Sequence, residues 1–435
     1  MGKNKKFLGK TIIFSILGIV FMFLYSGLQN DQINIIQTFS GWTADQTQLP
    51  ITVGNFVCIA LTFLYGTFFM KWGVKKPLII TMIITALGTA GIALANGLTV
   101  NNGEGNYALY FVSLFVVRCG CMMFQLAGFQ LAASWFIKYR GRILGIITLG
   151  SPLFSVVGTS VMTKFIATNL GNDYRPFYYG IAILIVVVIV FVALFINDTP
   201  EECGLYPDGA DHAPVSEDAE EEIKLTLKDI LATKKGWQLV ISFGALTFII
   251  NACMASMAVR YMTLGAGPNG EPIVWFTALK WLAVGAILGI PMSYIFGILD
   301  DKIGTVKASI VLALTELLPV LGLMLQPQGG NEALMIMWGF GVACMTGGVP
   351  TLHPSIMAYA YGRKEYQSAN RIIMAIQLIP CAFAAQMMIK FITTGRALLG
   401  YGILIGIIAI AIITLITMLK MPDAQAADRA YGNKE

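Results

Sequence analysis

Two short stretches decide the fold: Gly66-Thr-Phe-Phe-Met70-Lys71-Trp-Gly73-Val-Lys75-Lys76 and Gly297-Ile-Leu-Asp300-Asp301-Lys302-Ile-Gly304-Thr-Val-Lys307. Both have the form Gly-x-x-x-x-Lys-x-Gly, and each follows the second long apolar run of its half of the chain. Loops that recur at equivalent places point to a membrane protein assembled from a repeated unit. Gly66, Gly73, Gly297 and Gly304 permit a tight turn and close helix approach. Lys71 and Lys302 place charge at a membrane face, and a carboxylate such as Asp301 can hold a neighbouring helix terminus in one access state. Only the second copy carries that acid; the first has Met70 in its place.

Outward from these loops the chain alternates apolar runs with short polar joins. Of its 435 residues 56% are hydrophobic and only 12% charged, against about 25% charged in soluble domains. Mean hydropathy is +0.72, which excludes a soluble globule. Runs long enough to cross a bilayer, at about 20 residues each, fall at residues 11–38, 48–70, 77–98, 107–136, 143–168 and 176–197. A second set falls at 237–262, 274–298, 307–326, 332–360, 367–392 and 396–420. The expected architecture is an all-α membrane protein of twelve transmembrane helices in two pseudo-symmetric six-helix halves. The halves are residues 1–197 and 237–420, with a linker at 198–236 and a tail at 421–435. The linker runs from Glu217, Asp218 and Glu220 to Lys224, Lys228 and Lys234, and a short amphipathic helix is expected near residues 225–231.

Basic residues sit on alternate joins. Lys3 to Lys10, Lys71 to Lys76, Lys138 to Arg142, the linker, Lys302, Arg363 and Lys420 fall on one side, whereas the joins at 41–47, 98–106 and 263–272 contain no Lys or Arg. Retention of Lys and Arg in the cytoplasm makes both termini cytoplasmic in a multi-pass inner-membrane protein. The start, Met-Gly-Lys-Asn-Lys-Lys before an apolar run from Phe7, has no small-residue cleavage pattern and reads as the first span. The Asn197-Asp198-Thr199 sequon then lies on the cytoplasmic side. A net charge of +5 spread over short clusters suits lipid headgroups and not nucleic acid. The seven cysteines show no disulfide or metal-ligand spacing, and no cofactor is called for.

The two loops are similar to those of the major facilitator superfamily, and within it the chain resembles the oxalate:formate antiporter and monocarboxylate transporter-like group. Also similar to that group are Ser134-Trp135-Phe136-Ile-Lys-Tyr-Arg140-Gly141-Arg142, Gly347-Gly348-Val-Pro350-Thr-Leu-His353-Pro354-Ser355, and Thr199-Pro200-Glu201-Glu202-Cys203-Gly204-Leu205-Tyr206-Pro207. The resemblance implies alternating access, with the first, fourth, seventh and tenth spans lining the path. Oxalate carriers use an arginine in the eighth span and a lysine in the eleventh; here Ser293 and the neighbourhood of Gln377 and Leu378 fall at those places. The cation pair is absent, so the resemblance does not extend to oxalate.

Charged groups inside spans are costly and default to functional candidates. Arg118, about a third of the way into the fourth span, is the strongest, placed to pair with a substrate carboxylate; an ion pair with Asp31 of the first span is the structural alternative. Lys280 in the eighth span and Glu316 in the ninth lie about 9 and 15 Å from the outer end at 1.5 Å per residue, a spacing that lets them pair. Lys280 is then a second cation toward substrate, and Glu316 an ion-pair or proton-coupling group. Gln29, Asn30, Asp31, Gln32 and Asn34 form a polar cluster in the first span that reads as the wall of a water-filled cavity, extended by Gln125 and Gln130 below Arg118 and by Asn251 in the seventh; Gln29, Asn30, Gln125 and Asn251 are the expected substrate-binding amides. His353, between Pro350 and Pro354, either couples protons or satisfies a freed carbonyl. Lys164, Arg260 and Lys390 are expected at the outer ends.

The sequence therefore points to a secondary transporter of a small organic anion, a monocarboxylate, working as proton symporter or anion exchanger, monomeric and embedded in lipid. Two other readings stay open at this point: an exporter of lipophilic compounds, and a membrane sensor that does not transport. No Gly-x-x-x-x-Gly-Lys-Ser/Thr loop or catalytic constellation is present, so the chain does not read as an enzyme.

Overall fold

The computed structural model describes residues 2–98, 105–136, 143, 146–206, 225–265 and 273–422. The chain divides into two compact units, Met1–Ser216 and Glu217–Glu435. Among the described residues eleven helices are long and apolar enough to cross a membrane. The 29-residue helix Ala44–Trp72 stands between two of them in sequence. Its length, about 43 Å at 1.5 Å per residue, exceeds the bilayer core of about 30 Å, and with it the twelve expected spans are present. Their outer faces are apolar: Leu87 and Leu194 are each 70% exposed, which suits lipid and not water.

In the first unit the spans are Gly2–Ser26 continued by Gln32–Phe39, Ala44–Trp72, Lys75–Leu94, Tyr107–Trp135, Ile146–Asn169 and Arg175–Phe195. Helix starts are written locally. Thr43 accepts from the Gln46 backbone N–H at 3.2 Å while its own N–H donates to the Gln46 side chain at 2.9 Å, a capping box. Pro50 has no N–H to give the second span. The Gln46 carbonyl four residues earlier instead accepts from the Tyr107 hydroxyl at 3.1 Å. The first and fifth spans each contain a π turn, Gly27–Asp31 and Ser155–Val161. The Phe154 ring fills the space beside Gly27 and Gly158, and the Ser151 hydroxyl donates to that of Ser26 at 2.7 Å.

In the second unit, a short capped helix Leu227–Leu231, near where one was expected, leads into Lys234–Met262 and Ile273–Ile303. The ninth span, Thr305–Met324, is interrupted at Glu316, where Pro319 deprives the Thr315 carbonyl of its helical donor. The tenth and eleventh spans are parts of one helical run, Glu332–Thr393. His353 Nε2 lies 3.0 Å from Gln377 Oε1, although a straight helix would hold them about 36 Å apart; the run therefore doubles back between them. Ala397–Met418 closes the unit.

Four side-chain bonds recur between equivalent spans. Tyr65 of the second span donates to the Cys119 carbonyl of the fourth at 2.9 Å, across 54 residues; Ser293 of the eighth donates to the Gly347 carbonyl of the tenth at 3.1 Å, also across 54. Trp135 donates to the Asn197 carbonyl at 3.1 Å, and Tyr359 to the Met421 carbonyl at 2.7 Å, each across 62 residues.

The repeated loops differ in how they are held. Gly73 and Gly304 have φ of 70° and 87°, as their turns require. The acid that shapes the second loop is Asp300, which accepts from the Thr305 hydroxyl at 2.5 Å; the expected Asp301 is exposed, because the helix directs successive side chains about 100° apart. In the first loop Phe69 stands at the place of Asp300, and an acid is supplied from beyond the sixth span. Asp198 accepts from the Lys75 N–H at 2.8 Å, capping the third span, and any side chain on Gly73 would run into its carboxylate. Lys71 and Lys302 are exposed. Gly297 faces open space, so it serves no close helix approach; the surroundings of Gly66 lie outside the described residues. Replacing Asp198 with alanine leaves that helix start uncapped, which costs about 1–2 kcal/mol. Thermal unfolding in detergent should show a drop of a few degrees, whereas Asp301→Ala should leave the midpoint unchanged.

Candidate functional site

The fourth span carries Arg118 into the first unit, where it is 6% exposed. Space for its stem comes from the second span: a Cβ on Gly54 would lie 2.8 Å from Arg118 Cγ. One residue on, Asn55 accepts from Arg118 Nε at 2.6 Å. From the first span, the Gln29 amide oxygen accepts from Arg118 Nη2 and Nη1 at 2.9 and 3.1 Å, while the Gln29 nitrogen donates to the Tyr25 hydroxyl; this amide orientation turns the oxygen to donors and the nitrogen to an acceptor. Met122 Sδ, one turn along the same helix, lies 3.9 Å from Nη1.

Hydrogen bonds to a charged group contribute roughly 1.5–3 kcal/mol each, against a desolvation cost of several kcal/mol for a buried ion. These dipoles hold the guanidinium in place without neutralising it. Among the described residues Arg118 enters no ion pair; the described pairs are Arg175 with Asp173, Lys235 with Glu365, and Lys280 with Glu332. The Asp173 carboxyl, in the join before the sixth span, is held below the usual carboxylate range by its hydrogen bonds from Arg175. The side chains of Asn30 and Asp31, and with them the expected pairing of Asp31, lie outside the described residues. Gln125 lies seven residues beyond Arg118 on the same face of the helix and is half-buried.

Asn55 and Tyr25 are the residues that reasoning from sequence missed. Asn55 is the single amide in residues 51–70, a signal that was available. Tyr25, among so many apolar and aromatic neighbours, carried none.

The second unit departs from expectation. Lys280 does not meet Glu316; its Nζ lies 3.3 Å from Glu332 Oε1, with both side chains more than half exposed, and stands over the Trp281 ring. Depth along the membrane matched Lys280 to Glu316, but helix rotation points the lysine outward and the glutamate inward. Such an exposed pair is screened by solvent and adds little to stability. Glu316 is fully buried, and neither of its oxygens has a hydrogen-bond partner among the described residues. Asn251 turns its amide back on its own helix, donating to the Thr247 carbonyl at 3.0 Å. Arg260 donates to the Leu323 carbonyl at 3.1 Å, capping the ninth span. His353 meets an amide and not a freed carbonyl. Gln377 donates to the Leu239 carbonyl at 2.9 Å, so its oxygen accepts and His353 Nε2 carries the proton. Seventh, tenth and eleventh spans are joined at that point, with the Phe243 ring 5.3 Å from the imidazole. Among the described residues no group of His, Cys, Asp or Glu could hold a metal ion.

Solved structures share this architecture. A bacterial homolog to the human lysosomal transporter Spinster superposes with a TM-score of 0.65 at 13% identity, covering 98% of this chain and 99% of that one. The xylose transporter XylE from E. coli gives 0.65 at 12% identity, covering 97% of each. At such identities the likeness concerns the fold alone. No curated protein matches the sequence. The sequence profile of the Major Facilitator Superfamily matches residues 7–385, and with twelve long helices in two units around it, the chain belongs to that superfamily: it is a multi-pass membrane transporter and not an enzyme.

Proposed function

We propose that this transporter carries a small organic monoanion, a monocarboxylate, by alternating access, with Arg118 as the anchor. The observation that carries the reading is a buried guanidinium whose described partners are all neutral. A charge solvated by amides in a low-dielectric site retains its attraction for an anion, and a carboxylate offers it paired acceptors in the plane of its fork. A neutral sugar would need no such cation. Arg118 is the one buried cation among the described residues, which favours a single negative charge over a dicarboxylate. The loop and span motifs support a place in the oxalate:formate antiporter and monocarboxylate transporter-like group, and the distribution of Lys and Arg supports cytoplasmic termini in an inner membrane. His353 and Glu316 are the coupling candidates of the second unit if a proton accompanies the anion.

The test is competition against uptake of a labelled two- to four-carbon monocarboxylate by the purified protein in liposomes, with and without a pH gradient. Monocarboxylates should compete at least about tenfold better than dicarboxylates of equal length, a discrimination of ~1.4 kcal/mol. Saturable uptake of a lipophilic compound or a neutral sugar that carboxylates leave untouched would overturn the proposal. Acceleration by an inward proton gradient assigns symport; acceleration by internal anion assigns exchange.

A further inference from the structure

We propose that Gln29 is the resident occupant of the Arg118 fork, an internal stand-in that the substrate carboxylate must displace. The inference rests on the anion-anchor reading and assigns Gln29 a role opposite to that of a substrate ligand. The guanidinium presents two edges. Its Nε side is taken by Asn55 at 2.6 Å, and its end, Nη1 and Nη2 together, is covered by the single amide oxygen of Gln29 at 3.1 and 2.9 Å. An incoming carboxylate has one oxygen for each Nη, so it fits the very edge that Gln29 fills. Both cannot hold it.

Backbone geometry identifies the partner that yields. Asn55 projects from the regular helix Ala44–Trp72, and its short side chain is fixed on the buried stem of Arg118 beside Gly54. Gln29 projects from the π turn Gly27–Asp31, where the wider hydrogen-bonded ring interrupts the α-helical ladder and such turns concentrate at functional sites. Its side chain is one carbon longer. Its nitrogen already bonds the Tyr25 hydroxyl, so an amide released from the guanidinium retains a partner one turn back and is not stranded in an apolar site. In the empty site the amide keeps the buried cation solvated; in the occupied site the carboxylate does so better, because it is charged. Gln29 therefore sets how much of the gross attraction of Arg118 appears as affinity.

Two variants test this in the full-length protein in liposomes, with the labelled monocarboxylate as probe. Gln29→Glu supplies a built-in carboxylate to the fork: uptake should fall at least about 100-fold while thermal stability in detergent is kept or raised. Gln29→Ala removes the occupant: the KM should fall about three- to tenfold. A Gln29→Glu protein that is folded and transports within a few-fold of wild type overturns the proposal, as does a Gln29→Ala protein with a raised KM, which would make Gln29 a direct ligand. Loss of uptake in Arg118→Ala together with normal uptake in Gln29→Glu rejects the resident occupant alone; uptake that survives both substitutions rejects the anchor itself.

Discussion

Replacing Arg118 with alanine is expected to lower carboxylate uptake at least about 30-fold while leaving a folded protein. Truncating one partner of a buried, hydrogen-bonded charge pair costs about 2–5 kcal/mol, or roughly 30- to several thousand-fold. In the empty carrier the same substitution removes a charge whose burial was itself costly, and the neutral partners Asn55 and Gln29 need only one another or water. Arg118→Lys sharpens the result. Lysine keeps the charge as a compact ammonium but loses the planar fork, so it cannot bond Asn55 on one edge and present two parallel donors on the other. Uptake with the lysine should lie between the two extremes, with the loss mostly in KM. Uptake by Arg118→Ala within about threefold of wild type would remove Arg118 from the binding site.

A large structural effect is expected at Gly347, where the eighth and tenth spans cross. A Cβ there would come within 2.6 Å of the Gly289 carbonyl oxygen and 2.7 Å of the Ser293 nitrogen. Both are backbone atoms and cannot rotate away. Helices in lipid associate through close packing and interhelical hydrogen bonds, and here one supports the other, since the Ser293 hydroxyl bonds the Gly347 carbonyl at 3.1 Å. Gly347→Val should cost about 3 kcal/mol or more, the upper range for overpacking, and appear as loss of monodisperse protein in detergent. Gly297→Val, whose Cβ meets open space, is the matched control and should behave as wild type. Equal behaviour of the two would mean that the crossing gives way more readily than its backbone contacts suggest.

Span number and the duplicated loops were legible because hydropathy and glycine spacing act along the chain, one residue after another. Arg118 and Gln29 were legible for a related reason: a charge or a run of amides in an apolar stretch stands out wherever its helix faces. What failed was everything that depends on rotation about a helix axis. Lys280 and Glu316 were matched by depth alone, and Glu332, the true partner, lay at the end of a span where acids are unremarkable. Asp301 was preferred over Asp300 by its place in the motif, yet one residue of helix decides which acid reaches Thr305. Asp198 was invisible as the counterpart of Asp300, whose place in the first loop is taken by Phe69, because it reaches that loop only by folding the sixth span back beside the third. Asn55 stood out in the sequence, but a single amide among apolar residues is weak evidence until its neighbour is known to be a guanidinium.

The four recurring bonds between equivalent spans bear on how such a chain changes over time. Their donors are unlike, tyrosine against serine and tryptophan against tyrosine, while every acceptor is a main-chain oxygen. A main-chain oxygen is supplied by any amino acid, so half of each bond is immune to substitution, and the other half asks only for a donor of suitable reach. Ancestral geometry can then be inherited while the letters drift. That is the condition in which two halves, and two proteins only 13% identical, keep one architecture long after their sequences have ceased to match.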